Sequence, residues 1–180
     1  MEALCRQEIR RIHEFVDHSL SPVVLVYSDI AFKTSTLFSP AFLRKEFFPR
    51  MKRVVDAWHE HGVKCIFHSD GNLMGVLDDL VATGVDGLNP LEPLAGMDLK
   101  TVRERYPDLI LMGNIDCSEL LPRGTVAEVE AAVRKAIDDV AGSGGYILSS
   151  SSELHPGCKT ENCIAMIETG KAYGRYPREA

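Results

Sequence analysis

The chain has 180 residues, 45% of them hydrophobic and 26% charged. That is globular composition, neither disordered nor collagen-like, and a chain of this length removes roughly 70% of its unfolded surface from water. With 26 acidic against 20 basic side chains the net charge is −6, and no short Lys/Arg run interrupts it, which argues against nucleic acid as a partner. The longest apolar runs, such as Val23–Tyr27, are strand-sized and fall far short of the roughly 20 residues of a membrane helix. The first eight residues, Met1 to Glu8, show neither the basic nor the apolar region of a secretory signal. Five cysteines stand at positions 5, 65, 117, 158 and 163. An odd number so widely spaced is not a disulfide framework, so a reducing, cytoplasmic setting is expected.

Taken in chain order, Glu8 to about His18 reads as a helix feeding a first strand, Val23–Tyr27. Ser39-Pro40 is a helix start, an N-cap followed by Pro at the first helical position. Phe42, Leu43, Phe47, Met51, Val54, Val55 and Trp58 then recur at helical spacing up to Gly62, and Pro49 should kink or split that helix. Val63–Phe67 is a second strand, in which Cys65 reads as core. His68-Ser69-Asp70-Gly71-Asn72 follows, then a helix over Leu73 to Thr83 stopped by Gly84. A third strand runs from Val85 to Asn89. Asp98 caps a short helix carrying Leu99, Val102 and Tyr106. Leu109–Met112 is the fourth strand, ending at Gly113-Asn114-Ile115-Asp116. Thr125-Val126-Ala127-Glu128 is a capping box that opens a helix with Val129, Val133, Ile137 and Val140 toward the core. Gly142-Ser143-Gly144-Gly145 breaks it, Tyr146–Leu148 is the fifth strand, and a last helix begins near Thr160.

Strand–helix alternation implies a parallel sheet with right-handed crossovers. An open doubly wound sheet and part of a (βα)8 barrel both fit the pattern. A closed barrel needs eight strands, so the barrel reading makes this a partial one. In either architecture ligands bind at the carboxyl ends of the strands. Those ends carry Asp29, then His68 and Asp70, then Asn89 and Glu92, then Asn114 and Asp116, then Ser149 to Glu153 with His155. The opposite ends are bland. Asp and Asn after strands also serve as plain turn formers and helix caps. His68 and Asp70 share a face while the chain stays extended, and such a pair can share a metal ion or a proton. His155-Pro156-Gly157-Cys158 with Cys163 is a second cluster, but it lacks the paired spacing of structural zinc, and Cys163 reads as core. The Gly142–Gly145 stretch precedes a strand instead of following one, so it is no phosphate loop.

The ordered elements Asp29, Ser39-Pro40, His68-Ser69-Asp70-Gly71-Asn72, Gly84-Val85-Asp86-Gly87-Leu88-Asn89-Pro90, Gly113-Asn114-Ile115-Asp116, Gly144-Gly145-Tyr146-Ile147-Leu148-Ser149 and Glu161-Asn162 resemble the uroporphyrinogen decarboxylase superfamily. That superfamily also holds the cobalamin-dependent methyltransferases. The resemblance implies an α/β fold, a partial (βα)8 TIM barrel of about five βα units with a parallel sheet. It also implies a single domain over residues 1–180 that lacks the first strands of the barrel. In the methyltransferase branch a zinc ion is held by His-x-Cys and by a Cys after the last strand. Here His68 matches, Asp70 stands at the first Cys and Ser152 at the second, followed by Glu153. Thiolates hold zinc better than these groups do, so zinc is doubtful and a harder divalent metal on His68, Asp70 and Glu153 is the expectation. A ligating imidazole must be neutral, so affinity should fall below about pH 6. Cysteines at positions 70 and 152 together should restore a thiolate site.

The leading expectation is a methyltransferase-like enzyme acting on a small molecule, with a corrinoid, free or on a corrinoid protein, as methyl carrier. His68, Asp70 and Glu153 are the expected catalytic groups, converging at one end of the sheet. Asp29, Asn72, Glu92, Asn114, Asp116 and His155 are expected to bind substrate. Decarboxylation of a tetrapyrrole is the second reading, although the strand ends offer no Arg for its carboxylates. A non-catalytic or partner-dependent half barrel is the third. Homo-oligomerisation, or association through open barrel edges, is expected because unpaired strand edges need covering. No membrane or nucleic-acid partner is expected.

Overall fold

The computed structural model describes residues 1–142 and 144–175, so Ser143 of the predicted breaker lies outside the described residues. Five strands, β1 (Val23–Tyr27), β4 (Lys64–His68), β5 (Gly87–Asn89), β6 (Ile110–Ile115) and β7 (Tyr146–Ser150), form one sheet in chain order. β1 pairs parallel with β4, and β6 with β7. The sheet is parallel and the fold is α/β, five βα units of the (βα)8 type. A separate antiparallel pair, β2 (Ala31–Phe32) with β3 (Ser35–Thr36), was not expected from the periodicity. Strands of two residues carry too few side chains to show alternation. The chain divides into two compact units, Met1–Leu88 and Asn89–Ala180.

In the first unit α1 spans Glu2–Phe15, not Glu8 to His18. Cys5, Ile9, Ile12 and Val16 form a thin apolar stripe at 3–4-residue spacing, which Arg6, Arg10 and Arg11 obscure in the sequence. That stripe packs on Val54, Ala57 and Trp58 of α3 (Phe48–Glu60), so burial against α3 carries the helix back to Glu2. α2 (Pro40–Phe42) starts as expected, with the Ser39 hydroxyl accepting the Phe42 N–H. Before Pro49 the helix widens into a π-helical stretch, Leu43–Phe47, and the Phe48 N–H reaches the Leu43 carbonyl. Pro49 lacks an N–H and would clash with the carbonyl of a regular preceding turn, and the wider turn accommodates it. β4 buries Cys65, Ile66 and Phe67 in succession, the pattern of a strand covered on both faces. The single helix expected over Leu73 to Thr83 is instead a 3₁₀ turn, Met74–Val76, followed by α4 (Leu77–Val81). Gly75 inside the span weakens an α-helix there.

In the second unit Asp98 caps α5 (Leu99–Arg105), and its carboxylate accepts the Thr101 N–H. A short α6 (Leu120–Arg123), absent from the sequence reading, precedes α7 (Val126–Val140), which opens on the full Thr125/Glu128 capping box. Val129, Val133, Ile137 and Val140 are buried as the period requires. β6 and β7 each run further than their apolar cores, because Asn114 pairs with Ser149 and Ile115 with Ser150. α8 (Thr160–Tyr173) closes the unit. Cys163 is half-buried rather than core, since α8 turns Asn162, Ala165, Met166 and Thr169 inward and leaves Cys163 at the margin of that face.

Candidate functional site

In the first unit β1 and β4 end level, with Tyr27 opposite His68. Continuing that register brings Asp29 beside Asp70. Asp29, His68 and Asp70 each offer a ligand atom, and these atoms lie within 4.8 Å of one another. The Asp29 Oδ1 accepts the Asp70 backbone N–H at 3.1 Å and stands 3.9 Å from His68 Nε2. The His68 side chain is only 13% exposed, whereas Asp29 is 60% exposed. The Tyr27 ring lies against the imidazole, centroids 4.5 Å apart. One wall is therefore aromatic and the other anionic.

Two features that sequence reasoning missed hold this arrangement. Ser69 is buried, and its hydroxyl accepts the Ile30 N–H at 3.1 Å, so the two strand ends are tied crosswise. The β2–β3 hairpin packs on the turn that follows, where the Asn72 N–H donates to the Phe32 carbonyl at 2.9 Å. Gly71, at φ +86°, passes so close to Phe32 that an added Cβ would sit 2.6 Å from its backbone. The Asn72 side-chain oxygen accepts the Met74 N–H at 3.0 Å. The Ser69 hydroxyl and the Gly71 conformation are local features, but their partners lie about 40 residues away, so only the fold reveals their use.

In the second unit the expected residues take varied positions. Asp116 is buried, and its carboxylate accepts the backbone N–H groups of Ser118, Glu119 and Leu120 at 2.8–3.1 Å. This is an anion at the start of α6, the turn-forming use of an Asp after a strand. Asn89 donates to the Met112 carbonyl at 3.2 Å. Glu92 and Asn114 are half-buried, and Glu153 and His155 are exposed. The His155 ring uses Nε2 on the Cys117 carbonyl at 3.0 Å and Nδ1 on the Gly157 N–H at 3.1 Å.

Charged groups at the opposite strand ends are structural. Asp86, just before β5, accepts from the Cys65 N–H and His59 Nε2, both at 2.7 Å, and from Lys64 Nζ at 3.2 Å. Burial pushes its carboxyl up, but these three donors outweigh that and hold it below its ordinary value. The buried thiol of Cys65 is pushed up to about 12, chiefly by desolvation, as befits an inert core cysteine. Arg103 is buried in the second unit and donates to the carbonyls of Pro107, Leu109, Gly144 and Gly145 at 2.7–3.1 Å.

The parallel βα units define an α/β protein of the (βα)8 class, with a carboxylate–imidazole group at the ends of β1 and β4. The chain belongs to the uroporphyrinogen decarboxylase (URO-D) family, whose model matches residues 14–173. It is 32% identical over 140 residues to methylcobamide:CoM methyltransferase MtbA of Methanosarcina mazei, an alignment covering 78% of this chain and 39% of that protein. The same enzyme of Methanosarcina acetivorans is 29% identical over 143 residues, 76% of this chain and 38% of the relative. Uroporphyrinogen decarboxylase of Syntrophotalea carbinolica is 27% identical over 137 residues, 73% and 37%. The chain thus spans under two fifths of the length of these relatives. A solved methyltransferase from Methanosarcina mazei shares the fold at a TM-score of 0.75 and 20% identity, over 95% of this chain and 48% of that one. Among the described residues no helix is long and apolar enough to cross a membrane.

Proposed function

We propose that this chain carries the metal- and proton-handling part of a methyltransferase-like enzyme acting on a small molecule, with a corrinoid protein as methyl carrier. One observation carries the reading: Asp29, His68 and Asp70 bring two carboxylates and an imidazole within 4.8 Å at the ends of adjacent strands. The donors are oxygen and nitrogen without thiolate, which fits manganese, iron or another hard-to-borderline divalent ion better than a thiol-activating zinc. Such an ion, when bound, would supply Lewis-acid polarisation of a substrate oxygen. His68, flanked by the Tyr27 ring and by Asp29 Oδ1 at 3.9 Å, is placed to hold or deliver a proton at Nε2. In the second unit we assign a proton-handling role to exposed Glu153, and substrate-holding roles to Glu92 and Asn114. The relatives named as methylcobamide:CoM methyltransferases support methyl transfer. The relative named as a uroporphyrinogen decarboxylase makes decarboxylation the rival. We place the protein in the cytoplasm.

The test supplies methylcobalamin as methyl donor, thiols and phenolates as acceptors, and manganese. Decay of the methyl–cobalt absorbance is expected, together with methylated acceptor by mass spectrometry. His68→Ala and Asp70→Asn should abolish both. Turnover that is indifferent to these two residues, or carbon dioxide release from uroporphyrinogen in place of methyl transfer, would sink the proposal.

A further inference from the structure

Three of the five cysteines gather in the second unit, apart from the group built on His68. Lys159 is the N-cap of α8 and Thr160 its first residue. Cys158 is therefore the residue before the cap and Cys163 the fourth helical residue. Those two positions face each other at a helix start, where apolar side chains commonly form a staple. Here both are cysteines, and both are half-buried.

The frame around them is firm. The Lys159 N–H donates to the Leu121 carbonyl at 3.1 Å, and its Nζ to the Gly124 carbonyl at 2.9 Å. Fully buried Asn162 donates to the carbonyls of Leu121 and Gly124 at 2.9 and 3.0 Å. The residues next to each cysteine, Lys159 and Asn162, are thus pinned to α6 and the turn after it, which fixes the backbone on which both thiols stand. The third thiol, Cys117, is buried, and its carbonyl accepts from Cys158 Sγ at 3.7 Å while its sulfur accepts from the Ser151 hydroxyl at 3.6 Å. His155 has both ring nitrogens on backbone groups, so it adds no donor for a zinc site. What remains is thiol chemistry between two accessible partners.

We propose that Cys158 and Cys163 form a reversible intramolecular disulfide, a redox modification site that responds to disulfide oxidants of the glutathione class. The Cys158 thiolate attacks one sulfur of oxidised glutathione, a mixed disulfide forms, and one glutathione thiolate leaves. Cys163 gives up its proton to water and attacks the Cys158 sulfur, which expels the second glutathione. Two protein thiols lose two electrons and one glutathione disulfide gains them. Burial, and then the neighbouring Cys158, push the Cys163 thiol above its ordinary value, which casts it as the second, resolving thiol. Closure ties the loop that bears Glu153 and His155 to the first turn of α8.

The full chain is incubated with oxidised glutathione, quenched in acid and measured by intact and peptide mass spectrometry. The expected product has lost two hydrogens and retains no glutathione, its crosslink maps to Cys158 and Cys163, and dithiothreitol reverses it. Cys163→Ser should instead accumulate one glutathione on Cys158. A wild-type chain that keeps glutathione on Cys158 overturns the proposal. So does a crosslink joining Cys117 to Cys158, or a wild-type chain left unmodified.

Discussion

Asp29 offers the sharpest test of the strand-end group, because its two contacts can be separated. Its Oδ1 accepts the Asp70 N–H at 3.1 Å and faces His68 Nε2 at 3.9 Å. Asparagine keeps an oxygen that can accept the Asp70 N–H but removes the charge. Alanine removes both. The backbone hydrogen bond contributes about 0.5–1.5 kcal/mol to folding, so Asp29→Ala should lose that much and Asp29→Asn under about 0.5 kcal/mol. The ion-pair component adds little, since Asp29 is 60% exposed and solvent screens it. Metal affinity should behave differently. Even an outer-shell partner of a metal ligand is worth about 10- to 100-fold, and a direct carboxylate ligand at least that. Both variants should therefore weaken manganese binding by about 10-fold or more, some 1.4 kcal/mol upward. Calorimetric titration with manganese reads the affinity, and urea unfolding of the metal-free chain reads the stability. If Asp29→Asn binds manganese as the wild type does, Asp29 is only a backbone tie and the three-residue group is not a metal site.

Arg103→Met should destabilise the second unit by about 3 kcal/mol or more, because four carbonyls lose a charged donor in a buried place. Urea unfolding checks it, and a loss near zero would mean that water replaces the guanidinium freely. Asp86 sets an acid limit for the first unit. Its folded pKa lies below the unfolded value of 3.8, so its contribution is present above about pH 4 and is lost as pH falls through the folded pKa. Asp86→Asn should be less stable at neutral pH and show a shallower acid-side decline below about pH 4 in thermal melts across pH. An unchanged acid slope would show that other carboxylates carry the transition.

Local chemistry made several features legible from the sequence. The caps at Ser39, Asp98 and Thr125 each satisfy a backbone N–H within three residues, so spacing alone specifies them. The parallel α/β class follows from the alternation of apolar periods. The likeness of the His68–Asn72 and Gly144–Ser149 stretches to the uroporphyrinogen decarboxylase family agreed with the family match. Other features required the tertiary structure. Whether Asp29 stands beside Asp70 depends on the register of β1 against β4, and residues far apart in the chain determine that register. The extent of α1 depends on the face of α3 that it covers, and the lengths of β6 and β7 on each other. Asp116 and Asp29 look alike in sequence, each an Asp soon after a strand. One is surrounded by three backbone N–H groups at the head of α6, and the other faces an imidazole and a second carboxylate. A carboxylate's role follows from the donors that the fold brings to it, and the chain's linear order records only the nearest of them.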